Sequence, residues 1–249
     1  MKKIFILFTF LILIVPSVQS KEIDSLLEQA DLLYASREVI ELCEKSIELY
    51  KKVLEADPNN YEACWKIMRA CKWLGDKYPK EKRLKIIETG EPFVKKAIEI
   101  NPEGIEGHFW YGVCMGRIGE ERGILNSLFL VGPIKDEMEK VLKLDPEHDG
   151  AHYVLSALYR KAPGWPLSCG DINKSKEHAL LAIKYNPQGI LNHIGLAEVY
   201  IDMGKYREAK RELLIALDLP FEEDRIPEGK DDKAKAKKLL SEVKKKLGD

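Results

Sequence analysis

The sequence lacks the short motifs that mark the common catalytic centres. It contains no HExxH helix, no GxSxG turn, no glycine-rich phosphate loop and no CxxC pair. It also lacks an excess of basic residues, because 40 Lys and Arg residues stand against 41 Asp and Glu residues, a net charge of −1. A general nucleic-acid-binding surface is therefore not expected. We predict a protein that is not an enzyme and that uses no cofactor, metal or nucleic acid.

Cysteine is scarce and odd in number. Four of the five cysteines lie in predicted helices, where a thiol fills a small core position, and the sequence leaves open whether any disulfide forms. Two of them are seven residues apart on one helix, about 10 Å along its axis, which is too far for a bridge. The fifth, in a predicted loop, is the best candidate for a bridge or an exposed thiol. In chain order they are Cys43, Cys64, Cys71, Cys114 and Cys169.

A long apolar run occurs at the N-terminus. Lys2-Lys3 precede twelve mostly apolar residues, Ile4 to Val15, and small residues follow up to Ser20. This pattern predicts a signal peptide over residues 1–20, cleavage after Ser20 and export to the periplasm. The alternative is an uncleaved membrane anchor, although the run is short for a span of about 20 residues. No cysteine follows the run directly, so we predict no lipid attachment there.

An Asn-Pro or Asp-Pro pair recurs at the ends of amphipathic helical segments. Proline has no N–H and fixes φ, so each pair marks where one helix stops and the next unit begins. Successive prolines are 44, 44, 41 and 33 residues apart, which is typical of stacked helical hairpins. The prolines are Pro58, Pro102, Pro146, Pro187 and a looser copy at Pro220. Within a helical domain over 21–249 we predict repeats at about 24–58, 59–102, 103–146, 147–187 and 188–220.

The last repeat shows the pattern most clearly. One amphipathic helix covers Asn192–Asp202, Gly204 turns the chain, and a second helix covers Tyr206–Leu217. Small residues on both helices allow a close approach while large residues fill the gaps. This is the pattern of the tetratricopeptide repeat (TPR), a helix–turn–helix unit. We predict an all-α, TPR-like right-handed solenoid of five helical hairpins, with a lysine-rich capping helix at about 231–247.

Two repeats carry inserts between their helices. In the third, residues 124–131 are too apolar for a surface loop, so they extend the second helix or pack on a neighbour; whether they are core or interface is left open. In the fourth, two prolines and two glycines in residues 162–171 predict an ordered non-helical turn, with Asp171 capping the next helix. Trp165 in this turn is predicted to be buried on the repeats; an exposed contact is the alternative.

Position within the repeat selects candidate binding residues. The residue seven after each closing proline is predicted to face the groove lined by the first helices, and arginines flank three of these positions. Aromatic rings with guanidinium groups suit an extended peptide or a carboxylated small molecule. The alternative is that the aromatic rings fill the interface between successive first helices. The candidates are Trp65, Arg69, Phe109, Arg117, Tyr153 and Arg160.

The residue six after each closing proline is a histidine in three repeats. These are His108, His152 and His193, with Cys64 at the same position of another repeat. Neighbouring helices are about 8–10 Å apart, whereas Zn–N bonds are about 2.0–2.1 Å long. One ion cannot easily gather all three side chains. We therefore predict packing or capping roles in the core.

Residues 103–240 resemble two related TPR groups. One is the periplasmic TPR component associated with TRAP-type solute transporters, and the other is the regulator of microtubule dynamics family. The resemblance lies in residues 108–112, 119–124, 139–146 and 161–166. It implies a non-catalytic protein that oligomerises and partners an extracytoplasmic solute-binding protein.

Three functions follow as hypotheses. The leading one is an exported protein that mediates protein–protein interaction, docking a solute-binding protein of a TRAP-like transporter. The first alternative is direct binding of a small hydrophobic or carboxylated ligand in the groove. The second is a scaffold for cell-envelope assembly. Self-association through residues 124–131 is left open.

Overall fold

The structure is a computed structural model that describes the backbone of residues 4–249 and the side chains of residues 20–123 and 127–249. This part of the chain is helical, and its one β-type contact is an isolated bridge between Gly164 and Gly170. The all-α class is confirmed. The signal peptide predicted over residues 1–20 falls almost wholly outside the described side chains and stays a prediction.

Consecutive helices pair as hairpins, in which we call the first member the A helix and the second the B helix. A short 3-10 helix, Glu223–Arg225, leads into a last helix, α11 (Ile226–Leu247), which begins five residues before the predicted cap. The hairpins are α1 (Ile4–Ala35) with α2 (Ile40–Ala56), α3 (Tyr61–Asp76) with α4 (Lys80–Ile100), α5 (Ile105–Arg122) with α6 (Ile124–Leu144), α7 (Asp149–Lys161) with α8 (Ile172–Tyr185), and α9 (Ile190–Asp202) with α10 (Tyr206–Asp218).

The chain divides into two compact units. Unit 1 comprises residues 1–102 and holds the first two hairpins, while unit 2 comprises residues 103–249 and holds the other three hairpins with α11. Among the residues searched, which exclude those not described, no helix is both long and apolar enough to cross a membrane.

The B helices end as the repeat pattern predicts. In the first four B helices, the backbone N–H of the Asp or Asn before the closing proline donates to the carbonyl four residues earlier, as from Asp57 to Val53 at 2.8 Å, and in the fifth Leu219 makes the same bond to Ile215 at 3.0 Å. The next residue is proline, which has no N–H to continue the helix. The residues five and eight before the first four closing prolines are fully or almost fully buried. They are Val53, Ala97, Val141 and Ala182, and Tyr50, Val94, Met138 and Ala179.

The two inserts take different forms. Residues 124–131 begin α6, so this insert extends the B helix; Val131 is buried in its second turn, whereas Phe129 is exposed. The side chains of residues 124–126 lie outside the described part. In the other insert, Asp171 caps α8 as predicted, accepting hydrogen bonds from the N–H groups of Asn173 and Lys174 at 2.8 and 3.2 Å.

The prediction that Trp165 is buried was wrong. Its side chain is 90% exposed, because the loop between α7 and α8 turns back on its own backbone and holds the indole outward. The alternative, an exposed contact residue, is the one observed.

Helical cysteines occupy the core. Four are buried, Cys169 is partly buried in its loop, and no disulfide joins any of the five in the described chain. Burial raises the pKa of Cys64 to about 11 and that of Cys71 to about 12. These two thiols therefore stay protonated and unreactive at neutral pH.

Gly90 on α4 sets the distance between the two helices of the second hairpin. A Cβ atom there would lie 2.9 Å from Met68 Sδ, 3.1 Å from Cys71 Cβ and 3.2 Å from the Met68 Cα. We expect Gly90→Ala to lower the free energy of unfolding by about 1–3 kcal/mol, since the helices must separate. Urea denaturation measures the change.

Gly116 is the matched control, since it too lies within a helix. Among the described atoms nothing lies within 4 Å of a Cβ at this position. Gly116→Ala should raise stability by about 0.5–1 kcal/mol through helix propensity. Equal effects at the two glycines would contradict the packing argument.

Candidate functional site

The candidate site in unit 1 is built around Arg69 on the A helix α3. Its guanidinium carbon lies 4.2 Å from the ring centre of Tyr34 on α1 and 5.0 Å from that of Trp65, one turn earlier on α3. Such stacking orients a guanidinium without neutralising its charge. We call these three residues the Arg69 cradle. The structure thus brings together two of the predicted residues, and it adds Tyr34, which the repeat pattern did not select.

Acidic groups beside the cradle are largely engaged by other partners. Lys66 Nζ lies 2.8 Å from Asp31 Oδ2 and 2.6 Å from Glu62 Oε2, and the Tyr50 hydroxyl donates to Asp31 Oδ1 at 2.6 Å. Burial and then Asp31 raise the pKa of Tyr50, against an opposing effect of Arg69. The nearest approach of Arg69 to Asp31 is 3.8 Å, longer than a hydrogen bond.

Two buried donors on this part of α3 lack an acceptor. Within the described chain, neither Arg69 Nε nor Trp73 Nε1 has a hydrogen-bond partner. Trp73 is four residues after Arg69, so the two side chains lie on neighbouring turns of one helix face. A buried N–H without an acceptor is costly, so this stretch of α3 is less well satisfied than the rest of the described core. The Arg69 side chain is 25% exposed, so a ligand can reach it.

In unit 2 the predicted aromatic residues pack against glycines of the next A helix. A Cβ at Gly150 on α7 would lie 3.0 Å from the Phe109 ring of α5, and one at Gly195 on α9 would lie 3.0 Å from the Tyr153 ring of α7. Phe109 also contacts the imidazole of His148, with ring centres 4.8 Å apart. Both rings are partly buried. This is the arrangement of the alternative prediction, in which the rings fill the interface between A helices.

Ile194, at the same repeat position as these aromatic residues, is fully buried. This position of unit 2 therefore belongs mainly to the interior.

Arg160 and Arg117 are held by carboxylates within unit 2. Arg160 donates to Glu198 and Asp202 of α9, both at 3.1 Å, and so joins successive A helices. Glu198 also accepts from Lys235 of α11 at 2.7 Å. These carboxylates offset the charge that a ligand would need. A role of either arginine in partner binding stays a prediction.

Arg117 donates to Glu120 at 2.7 Å, and Lys161 contacts the same carboxylate. Burial opposes ionisation of Glu120, but Lys161 and Arg117 together hold its pKa below the usual value.

Buried histidines connect the closing turns to the B helices. His193 Nε2 donates to the Pro187 carbonyl at 3.1 Å, while its Nδ1 lies 2.9 Å from Glu212 of α10. His108 Nδ1 lies 2.6 Å from Glu137 of α6. The predicted core placement of these histidines is what the structure shows. In the described residues no group of three or more His, Cys, Asp or Glu side chains is placed to hold a metal ion.

The fourth repeat replaces the B-helix carboxylate by a histidine. His152 Nε2 donates to the Pro146 carbonyl at 3.2 Å, and its Nδ1 lies 3.0 Å from Nδ1 of His178 on α8. Burial lowers the pKa of both rings, and His152 lowers that of His178 further. At His193 burial also acts to lower the pKa, but Glu212 and the Pro187 carbonyl outweigh it and raise the pKa.

A buried asparagine, Asn192, was missed by the sequence reasoning. Its side-chain amide lies 2.9 Å from Asp149 of α7, 3.2 Å from the Ala182 carbonyl and 3.3 Å from the Asn186 carbonyl. It therefore joins α9 to the preceding hairpin. The available signal was an amide directly after the apolar residues Ile190 and Leu191 that begin α9, since a buried polar group must find partners.

Phe109→Ala distinguishes interior packing from a solvent-facing groove. Removing a half-buried ring that contacts Gly150 should lower the free energy of unfolding by about 2 kcal/mol. Phe129→Ala is the control, because that ring is 82% exposed; its effect should stay within about 0.5 kcal/mol. Denaturant unfolding of both variants gives the comparison. A near-neutral Phe109→Ala would place this ring in an open groove.

His178→Glu should reverse the pH dependence of the fourth repeat. The wild-type pair has lowered pKa values, so its contribution to stability is present above the unfolded pKa of about 6.5 and is lost as pH falls. A glutamate facing His152 raises the pKa of His152, so the contribution is present below about pH 6.5 and is lost as pH rises. Unfolding free energies measured between pH 5 and pH 8 test the reversal.

His178→Gln is the control for this pair. The amide offers a hydrogen bond without a charge, so it should not produce the stabilisation at low pH that glutamate gives. Parallel pH profiles for the Glu and Gln variants would show that the facing charge does not govern the pair.

Known proteins resemble this chain in sequence. Residues 26–160 match the family model described as Regulator of microtubule dynamics protein 1-3. Regulator of microtubule dynamics protein 1 of Bos taurus is 33% identical over 129 residues, covering 51% of this chain and 38% of that protein. The protein of the same name from Caenorhabditis elegans is 25% identical over 206 residues, covering 77% of this chain and 88% of its own. The chain spans about two fifths of the length of the bovine relative.

A solved structure supports the fold. The thermophilic TPR protein TTC0263 of Thermus thermophilus superimposes with a TM-score of 0.66 at 14% identity, over 86% of this chain and 98% of that chain. At this identity the likeness concerns the fold alone. It confirms the predicted TPR-like solenoid class.

Proposed function

The chain belongs to the regulator of microtubule dynamics protein 1-3 family, and from this premise we propose that it is a non-enzymatic TPR scaffold whose Arg69 cradle binds a carboxylate of a protein partner. TPR-like neighbours and the family relatives support protein–protein interaction as the general function. The observation that carries the specific proposal is the Arg69 guanidinium, which two rings orient, which stays 3.8 Å from the nearest Asp31 oxygen and whose side chain is 25% exposed.

The chemistry of the cradle favours a carboxylate. A guanidinium held between two rings presents its donors in a fixed plane, and a carboxylate accepts two such donors at once. Tyr34 is buried and holds the guanidinium from within, whereas the partly buried Trp65 offers apolar area to the chain that carries the carboxylate. Asp31 lies 3.8 Å from Arg69 and is bonded to Lys66 and Tyr50, so it is a weak competitor.

The identity of the partner is the finer part of the proposal. We propose a periplasmic solute-binding protein of a TRAP-type transporter, on the basis of the sequence resemblance and the predicted signal peptide. The names of the relatives point to a second candidate, a partner that acts in microtubule dynamics. Because the chain covers about two fifths of the bovine relative, that protein's role reaches this chain only as a proposal.

Arg69→Gln should weaken partner binding about 10- to 100-fold, since it removes a charge-assisted hydrogen bond of about 1.5–3 kcal/mol. Cross-linked affinity capture from the cells that make the protein, read by mass spectrometry, identifies the partner. Calorimetric titration of the purified partner then measures the affinities of wild type and variant. A captured solute-binding protein supports the transporter proposal, whereas captured tubulin or a tubulin-binding protein supports the second candidate.

Controls separate the cradle from general charge effects. Arg211→Gln removes an exposed arginine of α10 and should leave the affinity unchanged. Arg69→Lys keeps the charge but loses the planar fork, so it should recover only part of the affinity. The assignment of the cradle is wrong if Arg69→Gln binds like wild type while Arg117→Gln or Arg160→Gln weakens binding.

A further inference from the structure

Two carboxylates beside the Arg69 cradle share one buried lysine. Lys66 Nζ lies 2.8 Å from Asp31 Oδ2 and 2.6 Å from Glu62 Oε2. The Lys66 side chain is only 9% exposed, whereas those of Asp31 and Glu62 are 40% and 55% exposed. A ligand at the cradle therefore meets the two carboxylates and not the ammonium group that they share.

The pairing leaves one negative charge without a counterpart on this side of the cradle. Asp31 and Glu62 carry one negative charge each, and the single positive charge of Lys66 offsets one of the two. Arg69 lies next to this set, with its Nη2 3.8 Å from Asp31 Oδ1. The surface thus presents a positive subsite at Arg69 beside a negative subsite at Asp31 and Glu62.

The other cations nearby do not cancel the negative subsite. Lys72, one turn after Arg69 on α3, is paired with Asp76 at 3.1 Å. The Arg37 guanidinium lies 4.6 Å from the ring centre of Tyr34, but Arg37 is only 2% exposed and is out of reach of a ligand. The charges that a ligand meets are therefore those of the two subsites.

Glu62 keeps acceptor capacity for a ligand. An ionised carboxylate has two oxygens and about four acceptor positions. Asp31 uses two of these for Lys66 and for the Tyr50 hydroxyl, the latter at 2.6 Å. Within the described chain Glu62 accepts from Lys66 alone, through Oε2. Its Oε1 is therefore available to a cationic group from outside.

A lone carboxylate is a poor ligand for this surface. A carboxylate that accepts from the Arg69 guanidinium comes close to Asp31, and solvent screens the repulsion between the two like charges only in part. A ligand that also carries a cation offsets this repulsion, because its cation meets Glu62 while its carboxylate meets Arg69. Opposite charges on the ligand thus match opposite charges on the surface.

We propose that the Arg69 cradle recognises an acid–base pair of its protein partner, in which a Glu or Asp side chain binds Arg69 and a neighbouring Lys or Arg side chain binds Glu62. This inference rests on the proposed function, because it names the chemistry of the partner at the same site. Residues three and four apart are neighbours on a helix surface, so Trp65 lies between Glu62 and Arg69 on α3. Its partly buried ring offers apolar area to the alkyl stem of the partner's basic residue.

The test is selection from a displayed library of helical peptides with random residues on one face, using the full chain as target. Peptides that also bind the Arg69→Gln variant are removed. We expect the remaining peptides to carry Glu or Asp together with Lys or Arg three or four residues away. Acidic peptides without a basic residue would overturn this inference and leave the proposed function standing. If no selected peptide depends on Arg69, both fail.

Glu62→Gln gives a test in which the sign of the effect decides. If the basic residue of a selected peptide pairs with Glu62, the variant should bind that peptide about two- to fivefold more weakly, as expected for an exposed ion pair. If the site prefers a lone carboxylate, the variant removes a repulsion and should bind more tightly. Calorimetric titration of the peptide into both chains measures the change. Equal or higher affinity of Glu62→Gln would overturn the inference.

A charge exchange and a matched control complete the test. Glu62→Lys should bind the selected peptide more weakly still, and it should recover affinity for a peptide whose basic residue is replaced by Glu. Glu99→Gln removes an exposed carboxylate of the B helix α4 and should leave the affinity unchanged. Asp31 is kept in all variants, because Lys66 and Tyr50 are both bonded to it. Loss of affinity in Glu99→Gln equal to that in Glu62→Gln would assign the effect to net charge and overturn the inference.

Discussion

Much of the packing of unit 2 depends on glycines at the contacts between successive A helices. At Gly150 and Gly195 the absence of a Cβ lets a ring from the preceding A helix lie directly on the backbone. The rings of Phe109 and Tyr153 therefore pack between A helices. Arg160 forms ion pairs that join α7 to α9. Among the described residues, no carboxylate approaches the guanidinium of the unit 1 cradle within hydrogen-bond distance, which makes it the better candidate for an external carboxylate.

Buried hydrogen bonds add to this apolar packing. The histidine six residues after a closing proline bonds back to that proline's carbonyl in the fourth and fifth repeats, so the turn between hairpins is fixed from within the next A helix. Glu212 helps to raise the pKa of His193, whereas burial lowers the pKa of both His152 and His178, so the fourth-repeat pair is the one sensitive to acid. An unpaired buried polar group is costly, so these hydrogen bonds determine how each hairpin packs against the next.

The repeat period predicted the helices but not how closely neighbouring helices pack. The closing prolines, the buried positions before them and the Asp171 cap follow from local rules, since each concerns the geometry of a single helix end. Phe109 meets a glycine four residues after Pro146, whereas Tyr153 meets one eight residues after Pro187, so no single repeat position gives the contact. Trp165 was misjudged because composition predicts an ordered loop but not the direction of its side chains. Tyr34 of the cradle lies on α1, and its contact with Arg69 depends on tertiary packing, which the repeat pattern does not predict.

The central claim is that unit 1 binds the partner while the A helices of unit 2 are mainly structural. Hydrogen exchange of the full chain with and without its captured partner, read by mass spectrometry at peptide resolution, tests it most directly. The account predicts that added protection is concentrated in residues 20–35 and 61–76, the elements that form the Arg69 cradle. Protection confined to residues 105–122 and 149–161 would contradict it and place the partner on the aromatic face of unit 2.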